Sequence, residues 1–239
     1  MNLKRAFLLT MTALGLSSAA LADGFSATLE VPIVPTFSAK LGLNYSLEVS
    51  PNLFIGGSLN STITPGATNV FGLTARVGAK YVLLLLKNST TSVNAYLGAG
   101  VNASVIPTPF TIGLDLNAGI NAIAAIGGGF KFYGGVDGVA VYVFTGGAFV
   151  FSLAANAGVF FEPVTNLEFR LQGLVALVGT AGVTGFGWGI NSSLYYTIVP
   201  QFKVGLTAAY GSSGAFVFGL GALFAEKPGT LGIAGNYLP

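Results

Sequence analysis

Between Thr36 and Asn52 apolar and polar residues alternate without a break. Phe37, Ala39, Leu41, Leu43, Tyr45, Leu47 and Val49 share one parity, and Ser38, Lys40, Gly42, Asn44, Ser46 and Glu48 share the other. A period of two sorts side chains onto the two faces of a strand, whereas a helix of period 3.6 would scatter both sets around its surface. The same alternation recurs along the chain: GFSATLEV (24–31), LFIGGSLNSTI, FGLTARVGAKYVLLLL (71–86), VNAYLGAGVNASV (93–105), FTIGLDLNAGINAIAAI (110–126), FKFYGGVDGVAVYVF (130–144), FVFSLAANAGVFF, LEFRLQGLVALV, FGWGINSSLYYT, FKVGLTAAY and FVFGLGALF. Turn-forming segments separate them, among them SPN, TPGATN (64–69), KNSTT (87–91), EPVTN (162–166), GTAGVT (179–184) and GSSG (211–214). About 12 strands with hairpin-length connections follow, and ten or fourteen are also compatible with the turns. No strict repeat, linker or second domain interrupts them.

The central question is what covers the apolar parity. Only 8% of residues are charged and mean hydropathy is +0.74, against about 25% charged residues in a soluble domain. The N-terminus accounts for part of this. Lys4 and Arg5 precede an apolar run from Ala6 to Leu16, and Ala20-Leu21-Ala22 forms a small-x-small site before Asp23. That arrangement predicts a signal peptide over 1–22, the run being too short for a transmembrane anchor. Removing it takes Lys4 and Arg5 from the ten basic residues and leaves eight against eight acidic ones. The sequence pI of about 8.8 is then no footprint of nucleic-acid binding. There is no cysteine, so an exported chain must be held closed by something other than disulfides.

Charges and rings separate the two faces. Glu30, Lys40, Glu48, Arg76, Lys80, Asp115, Lys131, Asp137, Glu168, Arg170 and Lys203 lie inside the strands, and all take the parity opposite the apolar residues. Asp23, Lys87, Glu162, Glu226 and Lys227 fall in turns or near the termini. Most aromatics gather near strand ends, including Tyr81, Phe130, Phe132, Tyr142, Phe144, Phe149, Phe151, Phe160, Phe161, Phe186, Trp188, Tyr195, Tyr196 and Tyr210, with Gly, Ala, Leu and Val between. A soluble core would bury its rings centrally. Rings at both ends of an aliphatic band describe two interfacial girdles, which makes the charged parity the wall of a lumen.

On these features the chain resembles bacterial outer-membrane β-barrels as a class, over residues 24 to about 225. The resemblance implies a transmembrane, antiparallel, up-and-down all-β barrel over 23–225 in the outer membrane. It also implies contact with outer-membrane lipid and with the assembly machinery that inserts such barrels, and it is compatible with a homo-oligomer. Two features depart from the class. Fifteen residues follow Phe224, so 226–239 is either a tail or, as TLGIAGNYL (230–238), the last strand in place of 24–31. The long outer loops usual in the class are also missing. Helical spans in the uncharged stretches 138–161, 171–202 and 204–225 are the main rival, but Gly146-Gly147, Asn156, Asn191 and a β-branched, aromatic composition oppose them. An exported β-sandwich or solenoid is the other.

Little in the sequence supports catalysis. Enzymatic barrels of the phospholipase, acyltransferase and omptin kinds rely on a histidine, and this chain has none. Asp115 and Asp137 are the available carboxylate pair, on neighbouring strands, and read better as wall charges balanced by Lys131 and Lys203. No Cys/His cluster, P-loop or dinucleotide fingerprint appears, so neither metal nor cofactor is expected. Of the Asn-x-Ser/Thr sequons at Asn44, Asn60, Asn88, Asn102 and Asn191, four follow from period two placing such residues side by side on the polar face. Val139, Val141 and Val143, and Val82, Leu84 and Leu86, share that face toward strand ends, which favours a narrow or partly apolar passage over a wide aqueous one. The expected function is a passive channel for small solutes with a mixed-charge lumen formed by the strand charges named above. The alternatives are a structural envelope barrel with an occluded lumen and a conduit for hydrophobic small molecules.

Overall fold

The computed structural model describes residues 24–34, 39–64, 70–105, 110–180, 182–214 and 216–224. The expected signal peptide at 1–22 and the tail or strand at 226–239 lie outside the described residues. Twelve strands run in chain order: β1 (Gly24–Val34), β2 (Ala39–Ser50), β3 (Leu53–Thr64), β4 (Val70–Lys87), β5 (Thr91–Val105), β6 (Thr111–Gly127), β7 (Phe130–Val143), β8 (Ala148–Val164), β9 (Leu167–Thr180), β10 (Val183–Val199), β11 (Phe202–Gly211) and β12 (Phe216–Phe224). Each pairs antiparallel with its sequence neighbours, and β1 pairs with β12 from Phe25↔Phe224 to Val34↔Phe216, closing the sheet into a barrel. Residues 24–34 are therefore the closing strand. Among the described residues, the stretches weighed as helical spans form β7 to β12 and their short turns.

Several connections are tighter than the sequence pattern suggests. β8 continues through Glu162–Val164, and β9 and β10 run on to Thr180 and back from Val183. At two turns Asn takes the left-handed conformation it tolerates best among non-glycine residues, with φ 67° at Asn52 and 69° at Asn166. A register shift accompanies each of these turns. Asn88 Oδ1 accepts from the backbone N–H of Thr90 (2.9 Å) and Thr91 (2.7 Å), pinning the β4–β5 hairpin. These turns and the β6–β7 and β10–β11 connections lie at the same end of the barrel as Gly24 and Phe224, here called the termini end.

Following the register once around the ring displaces it by about 16 residues. With twelve strands that shear sets a tilt of roughly 45° and a Cα radius of about 12 Å. Side chains then face one of two environments in strict alternation. On β6, Leu114 and Leu116 are 43% and 55% exposed, while Asp115 and Asn117 are 0% and 2%. The outer face carries Leu97, Val101, Leu116, Ile120, Val136, Leu153 and Val175 at mid-height, and exposed rings such as Phe132, Tyr142, Phe149, Phe186 and Tyr196 above and below. Phe132 and Tyr142 on β7 stand about ten residues apart, or ~23 Å along the axis at that tilt, close to the height of an outer-membrane apolar band.

Two expectations need correction. Phe160 and Tyr195 are inside the barrel, 6% and 1% exposed, and do not belong to a girdle. Leu84 and Leu86 are 52% and 49% exposed and line no buried interior; only Val82 does so, at 8%. Leu84 keeps the parity of Val82, in register with Asn94, but stands exposed toward the strand end, and the register shift between Leu84 and Leu86 breaks the alternation before Leu86. The outer band carries a stability prediction: Leu116→Arg at mid-height should cost ~2–4 kcal/mol and Leu85→Arg near the rim about 0–1 kcal/mol, measured by reversible urea unfolding in lipid vesicles.

Candidate functional site

The candidate site is the interior wall. A side chain there can reach sideways to a neighbouring strand about 4.8 Å away, or across a barrel roughly 24 Å wide. Sideways contacts win on distance, and the charges pair accordingly. Arg76 on β4 donates from Nε to Asp115 Oδ2 at 2.9 Å and from Nη2 to Oδ1 at 2.6 Å, a two-pronged bond onto β6. Asn102 (3.0 Å) and Asn117 (3.1 Å) donate to the same carboxylate, which is fully buried. A buried carboxylate without such partners would be strongly disfavoured.

A second network centres on Asp137, whose carboxylate accepts from the Tyr96 hydroxyl and, at 3.2 Å, from Asn156 Nδ2. Lys80 Nζ lies 4.2 Å from the centroid of the same Tyr96 ring. A third sits toward the termini end, where Glu168 accepts from Arg170 and, at 2.7 Å, from Lys203 Nζ. Arg170 lies over Phe160 and Tyr195, at 5.7 and 5.2 Å from their centroids, and Lys131 is 5.0 Å from the other side of Phe160. Glu30 and Lys40 face each other in the β1–β2 register. Glu48 accepts at 3.2 Å from the backbone N–H of Asn52 and so braces a turn. Asp115 and Asp137 do not converge: each belongs to its own network. Their partners are Arg76, Tyr96 and the asparagines, where Lys131 and Lys203 were expected.

Glycine makes these reaches possible. The Arg76 guanidinium crosses β5 over Gly100, where a Cβ would lie 2.7 Å from Nη2. Tyr96 crosses β6 over Gly119, where a Cβ would lie 2.7 Å from its hydroxyl oxygen and 2.5 Å from Asp137 Oδ1. Tyr133 lies across Gly158 of β8 and Tyr195 across Gly205 of β11, each with 2.5 Å to the Cβ that glycine lacks. Each long side chain therefore lies flat on the wall and spans to the second strand along.

The wall is not polar throughout. Val139, Val141, Val143, Val150, Ala154, Ala176 and Val178 form a buried apolar cluster on β7, β8 and β9, toward the end opposite the termini. Asn117 Oδ1, Asn156 Oδ1, Asn191 Oδ1, both amide atoms of Asn121, and the hydroxyls of Ser58, Ser104 and Ser152 are buried with no protein partner. On the outer wall an apolar groove of about 380 Å³ lies among Leu29, Leu194, Leu206, Phe218 and Leu220. It faces the membrane and holds none of the charged groups. No group of three or more potential metal ligands occurs among the described residues.

Sequence reasoning passed over the interior tyrosines and the asparagine set. The signal was available: in Phe160-Phe161 and Tyr195-Tyr196 strict alternation forces one ring of each pair inward. Tyr96 likewise shares its parity with Asn94 and Asn102.

No family model and no curated protein sequence matches the chain. Solved structures do match. The β domain of the Bordetella autotransporter BrkA superposes with a TM-score of 0.59 at 9% identity, covering 85% of this chain and 99% of that one. The KdgM porin gives 0.56 at 11% identity and the NanC porin 0.55 at 11%, each covering 84% of this chain and 98% of the other. At such identities the likeness is one of fold, and the fold is that of bacterial outer-membrane β-barrels.

The glycine-bridged ion pair can be tested by coupling. Arg76→Met should destabilise the barrel by about 3 kcal/mol, because it strands a buried carboxylate. Gly100→Leu, which blocks the guanidinium's path, should cost a similar amount. Combined, they should cost little more than either alone, as residues acting on one bond do; additive losses in urea unfolding would show that the two act separately.

Proposed function

We propose that the protein is a passive channel of the bacterial outer membrane, with a narrow interior through which small polar solutes cross, and that it performs no catalysis. One observation carries the proposal: the strand charges occupy the interior face, most of them in networks laid flat along the wall, while the outer face is apolar. A barrel serving only as a membrane anchor would need no such interior. Gly24, Phe224 and the tighter turns share one end, which in this class faces the periplasm.

Several features support the reading. The KdgM and NanC folds are named as porins, and one KdgM structure is a complex with disordered oligogalacturonate. The interior charges here, Glu30, Lys40, Glu48, Arg76, Lys80, Asp115, Lys131, Asp137, Glu168, Arg170 and Lys203, are the proposed lumen set. They are of both signs and nearly balanced, so ion preference should be weak. The absence of histidine from the sequence removes the usual general base.

The valine-lined cluster favours a second reading, a barrel whose interior is occluded at that level or admits apolar compounds. Planar-bilayer recording separates the two. The folded protein should give discrete conductance steps with a cation-to-anion permeability ratio within about threefold of one. A folded protein that never departs from baseline would leave the occluded reading standing.

A further inference from the structure

The hydrogen-bonded wall of the barrel is not equally tall all the way round. β11, β12 and β1 have 10, 9 and 11 residues, whereas β4, β6 and β8 have 18, 17 and 17. At the strand rise and tilt given above, the wall is ~21–26 Å tall at the closing seam and about 40 Å tall at β6, across the barrel from it. The outward rings follow the same gradient. Phe202 and Tyr210 on β11 stand about eight residues apart, or ~19 Å along the axis, against ~23 Å for Phe132 and Tyr142 on β7. An apolar band ~25 Å tall fits the tall side and overhangs the low one.

A wall shorter than the bilayer is accommodated by thinning the lipid or by covering the wall with protein. The low side is shaped for the second. The apolar groove of about 380 Å³ lies on it. The small outward residues Ser192 and Ala208, which pair in register, form its floor, and the Ser192 hydroxyl is turned onto the Ala208 carbonyl at 3.5 Å. Leu206 and Leu220 flank it and are 60% and 57% exposed. Toward the end opposite the termini, Trp188, Tyr210, Phe216 and Phe218 form an unbroken row of ring contacts, with successive centroids 6.0, 6.2 and 4.7 Å apart. Among the described residues no charge takes the outward parity of β10, β11, β12 or β1. The outward side chains between Trp188 on β10 and Leu29 on β1 leave roughly 800 Å² exposed, about the share each partner gives to a standard specific interface.

We propose that the low wall of β10, β11, β12 and β1 is a self-association surface, and that its partner is a second copy of this chain standing parallel in the same membrane. A two-fold axis along the membrane normal sets the same surface on both sides, so the leucines flanking one groove seat in the other. Low side against low side, the two seams are withdrawn from a bilayer they fit badly, while the tall walls face lipid they match. The inference uses the outer face alone and does not depend on the interior conducting.

The test uses the full-length protein refolded into liposomes, with folding verified by circular dichroism and by resistance to SDS at room temperature. Donor and acceptor dyes are carried on Ser89→Cys in the β4–β5 turn, far from the low wall, and energy transfer is read at one protein per several thousand lipids. Transfer should exceed that of random mixing, and the association constant should rise at least about threefold as the lipid acyl chains are lengthened, because the mismatch at the low wall grows. Ala208→Phe fills the groove and should weaken association about tenfold, whereas Ala118→Phe, the same change on the exposed outer face of β6, should leave it within about twofold. A short lipid-soluble bismaleimide should couple Leu220→Cys to a second copy and leave Leu116→Cys uncoupled, a readout that stands even if Ala208→Phe fails to fold. Transfer at the random level in the folded wild type, or full association in a folded Ala208→Phe, would overturn the proposal and leave the groove to lipid. Equal loss in Ala118→Phe, or equal coupling at Leu116→Cys, would overturn the assignment to the low wall. Conductance measured on the same preparations tests the channel reading separately.

Discussion

In hydrocarbon an unpaired backbone amide or carbonyl costs several kcal/mol, because no water is present to replace the missing partner. An open twelve-stranded sheet would expose two such edges along their whole length. The pairing of β1 with β12 removes both, and the rest of the molecule depends on it. Once the edges are gone the strands need no disulfide, second sheet or covering helix. Closure also fixes the tilt, radius and separation of the two faces, since strand number and shear cannot be chosen independently. A ring of these dimensions places the far wall beyond the reach of any side chain, so interior contacts form between near neighbours.

That geometry explains the glycines on the inner wall. A strand glycine ordinarily weakens a sheet, and here several sit where a long side chain from the preceding strand must pass. Gly100 lies beneath Arg76, Gly119 beneath Tyr96, Gly158 beneath Tyr133 and Gly205 beneath Tyr195. Three of them let a charge or hydroxyl reach a partner two strands along, Arg76 to Asp115, Tyr96 to Asp137 and Tyr133 to the Leu171 carbonyl, without standing up into the interior. Packing and bonding are linked at these positions: the glycine gives the path, and the path lets the side chain lie along the wall.

The barrel was legible because period two leaves a strong trace: the parity of the charges, the placement of the outer rings and the short turns all follow from it. The site was legible only as a set of residues on one face. Which charges meet was not, because partner choice depends on register and shear, which no single strand carries. Asp115 and Asp137 looked like neighbours to be balanced by distant lysines, yet the register delivers Arg76 to one and Tyr96 to the other. The rings of Phe160 and Tyr195 were misplaced for a different reason. Position near a strand end suggested a girdle, but parity decides which face a ring takes, and in each adjacent aromatic pair one ring had to turn inward. Leu86 shows the converse, a bulge breaking the alternation that had assigned it.

The proposed channel requires that alternate residues face a hydrated interior and a lipid exterior. With no cysteine in the chain, single substitutions report one position at a time. Asn60→Cys and Thr62→Cys, half-buried on the inner parity of β3, probe the inner face, and Leu59→Cys and Ile63→Cys the outer face of adjacent positions. In proteoliposomes, a small membrane-impermeant methanethiosulfonate should modify the inner set, and a lipid-soluble maleimide the outer set. Modification that ignores parity, or an inner set inert to the aqueous reagent in the folded protein, would contradict the account.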